Sequence, residues 1–137
     1  MANVIVKWRA PQFLRLTQEH VQRGMGKAVL FCEGEAKQAV SRGNITGNSP
    51  SAPGEPPKTV TGTLRANIGS EVVVDQGDVV GLVGVKRGAA DPYGRRLELG
   101  FVGTDKLGRR INQGARPFLR PTVFQNAIEI VRLISRG

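Results

Sequence analysis

The chain of 137 residues has one cysteine, one histidine, one tryptophan, one tyrosine and five phenylalanines. Each shortage removes a class of function. A lone thiol, Cys32, forms no internal disulfide, and a reducing interior suits such a chain. His20 by itself supplies no His/Cys cluster at metal-ligand spacing. The longest unbroken apolar run, residues 28–32, falls far short of the roughly 20 residues that a membrane span needs. The first residues lack the basic-then-apolar layout of a signal peptide. Gly81, Gly84 and Gly88 are followed by no Lys-Ser/Thr pair at the spacing of a phosphate-binding loop. The carboxylates are scattered, with Asp75 and Asp78 in an expected turn and Asp91 better used as a helix cap. Acid–base catalysis therefore has few partners here, and we expect no enzyme, no cofactor and no metal.

What the chain does have is positive charge. Twenty Lys and Arg against eleven Asp and Glu leave a net charge of +9. Residues 1–42 carry a net +4, residues 43–100 are neutral, and residues 101–137 carry +5. A chain with basic ends suits nucleic acid, an acidic protein surface or an anionic membrane, or simply a solvated basic surface. No recognition-helix, zinc-finger or RNA-binding-sheet signature accompanies the charge, so a sequence-specific reader is not expected.

The pattern of apolar residues reads as a single α+β domain over residues 1–137. Val4, Val6 and Trp8 alternate with their neighbours as in a short strand. Leu14, Val21, Met25, Ala28, Val29, Cys32, Ala36 and Val40 then recur at helical spacing, giving one long helix over about residues 11–42. Gly24, Gly26 and Gly34 soften it at about 1 kcal/mol each against alanine. Cys32 lies on the apolar stripe of this helix and should be buried and inert, whereas His20 lies on its polar side and should be solvated. Residues 43–60 are rich in Pro and Gly and read as an exposed loop. Residues 61–69 suggest a turn entering one or two helical turns. Residues 71–74 and 79–85 form a β-hairpin, with Gly81 and Gly84 marking close approach by a helix. Residues 93–98 form a short helix stopped by Gly100, and residues 101–114 read as an irregular arm. A last helix begins near Pro121, and its apolar stripe is broader than one contact with the hairpin can use. The expected architecture is a small antiparallel sheet packed against the long N-terminal helix and the C-terminal helix.

Three segments rise above this background. They are TGTLRANI (residues 61–68), YGRRLELG (93–100) and GARPFLRP (114–121), in that order. Pro117 and Pro121 bracket Phe118 and Leu119, holding an apolar pair in a rigid elbow. Arg65, Arg116 and Arg120 are suited to pair with Glu98 or with helix-end carbonyls. The segments either fold the domain or touch a neighbouring subunit, and both readings stay open. Phe118 and Leu119 should be buried in either case.

The order of these motifs resembles that of the small head–tail joining (neck, or tail-completion) proteins of long-tailed bacteriophages and prophages. That family carries a "TGxLRxSI" turn, a "YxxxxEFG" helix end and an "ARPFLRPA" lead into a terminal helix. The likeness spans about residues 61–134, with Asn67 in place of the usual serine, Leu99 in place of an aromatic, and a longer 101–114 arm. It implies a structural virion protein assembled in the host cytoplasm, forming a cyclic homo-oligomeric ring at the neck or tail-proximal end, in the connector, tail-completion or tail-terminator position. Sixfold symmetry is implied, or twelvefold for a head-side ring. Neighbouring connector and tail proteins would be its partners, and double-stranded DNA would pass through the lumen with weak non-specific contact. Carried residue by residue, the assembly motif comprises Gly62, Leu64, Arg65, Tyr93, Glu98 and Gly100, then Arg116, Pro117, Phe118, Leu119, Arg120 and Pro121. Lys106, Arg109 and Arg110 in the arm are the candidates for DNA or partner contact. The rival reading is a basic nucleic-acid-binding accessory protein acting as a monomer or dimer.

Overall fold

The computed structural model describes residues 10–41, 52–55, 62–86, 88 and 91–137. The expected strand at Val4, Val6 and Trp8 lies outside the described residues, as does most of the 43–60 loop.

Helix α1 (Ala10–Ser41) is the backbone of an α+β fold. Its 32 residues make it about 48 Å long at 1.5 Å per residue. The apolar stripe read from the sequence is buried over the second half of the helix, at Ala28, Val29, Cys32, Ala36 and Val40, whereas Val21 and Met25 are half-buried and Leu14 is exposed. Burial pushes the Cys32 thiol above its ordinary value, with the nearby Glu35 charge adding to the effect. A thiol so placed stays protonated and acts as a small apolar side chain.

Two elements pack along α1. The hairpin of β1 (Ile68–Asp75) and β2 (Asp78–Val85) is antiparallel, with Asp75 opposite Asp78 and Ile68 opposite Val85. Its turn is tight, with Gln76 at φ 49° and Gly77 at φ 92°. Gly81 faces α1, where a Cβ would stand 2.5 Å from Val29 and 2.7 Å from the sulfur of Met25. That glycine is a close approach, as expected. Gly84 is different, since a Cβ there would meet open space.

The C-terminal helix is two helices, α4 (Arg120–Gln125) and α5 (Ala127–Arg136). The break has a local cause at Asn126, whose Nδ2 donates to the Thr122 carbonyl at 2.8 Å. That is the carbonyl the Asn126 amide would use to continue the helix, and the side chain competes for it. The helix α5 takes α1, and not the hairpin, as its main partner. Gly24 makes this possible, because a Cβ there would collide with the backbone of Ile134. The end of α5 is held by two side chains of α1. His20 Nε2 lies 2.9 Å from the Ser135 carbonyl oxygen, and Lys27 Nζ donates to the Gly137 carbonyl at 2.7 Å. His20 is thus half-buried at a helix terminus, where side-chain donors satisfy carbonyls the helix leaves unpaired. It is not the solvated residue its position on the polar side suggested.

Between these parts lie α2 (Thr63–Asn67) and α3 (Asp91–Leu99). The arm at 101–114 is ordered. It forms a second antiparallel hairpin, β3 (Phe101–Thr104) with β4 (Arg110–Gln113), in place of the irregular segment expected. Gly100, at φ 77°, ends α3 and starts this hairpin, and a Cβ there would press on the Gln113 carbonyl.

Candidate assembly interface

The three motif segments converge. Leu64 and Ile68 from the first, Leu97 from the second and Phe118 from the third form one cluster with Ala36 and Val40 of α1. Leu119 and Val85 pack against its rim. Phe118 is 1% exposed and Ile68 is fully buried, so the elbow points its phenylalanine into the core.

Each motif has a backbone reason for its residues. Gly62 sits at φ 75° ahead of α2, a left-handed conformation that glycine adopts without a Cβ penalty. Its carbonyl accepts from the Ala66 amide, and Asn67 Nδ2 donates to the Thr63 carbonyl. The Asn67 carbonyl accepts from Lys86, tying α2 to the end of β2. Leu64 is therefore presented to the core while Arg65 points to solvent.

Glu98 does work that the sequence did not suggest. Its Oε2 accepts the backbone amides of Phe118 at 2.8 Å and Leu119 at 3.0 Å. Its Oε1 accepts that of Arg120 at 2.9 Å. One carboxylate thus takes three donors at the start of α4, where amides are otherwise unpaired and negative charge is favoured. Glu98 is bonded to the elbow's backbone, whereas the expectation from sequence pairs Arg65, Arg116 and Arg120 with Glu98 or with helix-end carbonyls. The Arg116 amide donates to the Leu97 carbonyl at 2.6 Å, and its guanidinium reaches the Gly114 carbonyl at 3.3 Å. Arg120 is exposed, and Pro117 and Pro121 are half-buried on either side of Phe118. Tyr93 lies in α3, its side chain outside the described set. Thr122, which the sequence reading passed over, is buried and donates from Oγ1 to the Phe118 carbonyl at 2.7 Å. A Thr four residues after the elbow's Phe was its only signal.

Lys106, Arg109 and Arg110 sit together at the end of the β3–β4 hairpin. Asp105 organises that turn. Its Oδ1 accepts the amides of Leu107 and Arg109, and its Oδ2 takes Arg109 Nε at 2.7 Å. Hydrogen bonds from the Arg109 amide foremost hold the Asp105 carboxyl below its ordinary value. Arg109 is committed to shaping the turn, whereas Lys106 and Arg110 make no ion pair among the described residues.

Among the described residues, large apolar side chains stand exposed on three parts of the fold. Phe124, Ile128 and Val131 of α4–α5 are 76%, 79% and 62% exposed. Phe13, Leu14 and Leu16 near the start of α1 are exposed too, as are Val73, Val80 and Leu82 on the β1–β2 hairpin. Among the described residues no group of His, Cys, Asp and Glu is placed to hold a metal ion. No described helix is long and apolar enough to cross a membrane. No family model matches the sequence, and neither curated proteins nor solved structures give a match.

Proposed function

We propose that the protein is a structural component of a phage head–tail junction, a neck or tail-completion subunit that assembles with copies of itself into a ring around the DNA path. The observation that carries the reading is the apolar surface spread over α1, the β1–β2 hairpin and α4–α5. Monomeric proteins rarely leave such patches open, and they mark surfaces meant for protein partners. The resemblance of the three motifs supplies the kind of assembly. Their convergence on one core supports a scaffold in which the motifs shape the subunit and the exposed faces join subunits.

In this reading the basic residues meet DNA weakly. A lumen that gripped phosphates would retard the passing genome. A lumen wall offering at most three phosphate contacts gives a slope of log affinity on log salt of no more than about −3.

Light scattering after size exclusion, with electron microscopy of the peak, tests the proposal. A closed ring of six or twelve copies with weak, salt-sensitive DNA retention is the expected result. A monomer that binds DNA tightly at 200 mM salt, where a protein with 6–10 phosphate contacts has lost about 10³–10⁵ in affinity relative to 50 mM, would refute it in favour of a DNA-binding accessory protein.

A further inference from the structure

We propose that the β3–β4 hairpin of one copy docks on the outward face of the β1–β2 hairpin of the next, forming the head-to-tail contact of the assembly. The inference rests on the assembly reading above and names the two surfaces that meet.

The first surface is acidic within a basic chain. Between Arg65 and Lys86 the sequence carries Glu71, Asp75 and Asp78 and no Lys or Arg, although the net charge is +9, and the Lys86 side chain lies over Gly69 at the end of the strands away from the turn. Strand register puts these carboxylates on one face. Glu71 stands opposite Leu82, Val73 opposite Val80, and Asp75 opposite Asp78. The alternate residues, Val72 and Gly81 among them, face α1. The outward face is therefore an apolar strip of Val73, Val80 and Leu82, 39–46% exposed, running to a carboxylate pair at the turn.

The second surface is its complement. In the β3–β4 register Val102, Thr104 and Arg110 share one face, and all three are exposed. Val102 is 80% exposed, and Leu107 at the turn is 77% exposed beside Lys106. That face carries Val102 and Arg110 together with the polar Thr104 and Asn112, with Lys106 and Leu107 following at the turn, on a ribbon that makes at most slight contact with other described elements of its own copy. Within one copy neither hairpin covers the other.

A two-stranded hairpin on its own is marginal in water. This one is held at both ends. Asp105 fixes the turn through three donors. Arg96 stacks over the Phe101 ring at 4.2 Å at the root. Such order lowers the entropy that docking would otherwise cost. Like charges oppose docking of either face on its own kind, so the contact is between unlike faces. A contact between unlike faces of identical chains propagates and closes into a ring when its rotation allows.

Charge-reversed pairs of the full chain test this by light scattering: K106E/R110E on the ribbon and E71K/D75K on the sheet face. All four residues are exposed, and Arg109 is left in place to keep the turn. Each variant alone should fall to monomers, with association weakened at least about 100-fold at low salt. Their equimolar mixture should regain the wild-type mass, because acidic ribbons then meet basic faces and basic ribbons meet acidic ones. Should a reversal unfold the chain by circular dichroism, the neutral pairs K106Q/R110Q and E71Q/D75N carry the same test, each expected to weaken assembly. If both variants assemble like the wild type, this contact is overturned while the assembly reading stands. If only DNA retention is lost from the ribbon variant, the ribbon belongs to DNA and the contact is likewise overturned. If the wild type stays monomeric at millimolar concentration, both fall.

Discussion

Three glycines of one helix should answer the same substitution with opposite signs. Gly24, Gly26 and Gly34 all lie inside α1, where propensity alone favours alanine by about 0.8–1.0 kcal/mol. At Gly26 and Gly34 an added Cβ meets nothing within 4 Å. Gly26→Ala and Gly34→Ala should therefore each stabilise by nearly that amount. In a chain of this length, that raises Tm by about 3–5 °C. At Gly24 the Cβ would stand 2.7 Å from Cα and 2.8 Å from C of Ile134, and closer still to its carbonyl oxygen. Those atoms are backbone and cannot rotate away. Either α5 shifts off α1 or the helices strain, and overpacking of this kind costs typically 1–3 kcal/mol. The propensity gain offsets only part of that, so Gly24→Ala should lower Tm by several degrees. Thermal unfolding followed by circular dichroism reads all three variants. A Gly24→Ala protein as stable as Gly34→Ala would show that α5 does not pack on α1 at this point.

The remaining expectations concern the core, the elbow and pH. Phe118→Ala should cost about 3–5 kcal/mol in denaturant unfolding, because the side chain is 1% exposed and its site is ringed by Leu64, Ile68 and Leu97. Glu98→Gln keeps one acceptor oxygen for three amides and removes the charge, so it should lose about 1.5–3 kcal/mol and increase hydrogen exchange at Phe118, Leu119 and Arg120. An unchanged exchange rate there would rule out the cap. Glu33 accepts from Lys37 at 2.5 Å and from Ser70 at 2.6 Å, and these bonds, Lys37's first, hold its carboxyl below the ordinary value of 4.5. A lowered folded-state value stabilises the fold at pH above 4.5, and the gain is lost as pH falls through that lower value. Glu33→Gln should thus be less stable than the wild type at pH 7, and the gap should shrink in acid. A constant gap from pH 7 to pH 3 would contradict the assignment.

Local rules and periodicity were enough for much of this chain. The 3.6-residue recurrence from Leu14 to Val40 marked out α1, and its part from Ala28 to Val40 marked the buried face, because a helix repeats its faces whatever it packs on. The β1–β2 turn followed from Gly77 between two β-branched runs, and Gly100 marked the end of α3 by the left-handed backbone it allows. The fixed φ of Pro117 and Pro121 made Phe118 a core candidate before any partner was known. Tertiary structure decided the rest. β3 and β4 are four residues each, too short to show alternation, and Asp105 and strand pairing order them. Glu98 reads as an ion-pair partner for arginine until α3 brings it beside the start of α4, and it meets the Phe118 amide twenty residues away. His20 and Gly24 acquire their roles only when α5 lies against α1, since a single-helix pattern cannot say which backbone will arrive. Long-range neighbours are set by which faces remain apolar after each element has formed, and that is a property of the packed chain, not of any window of its sequence.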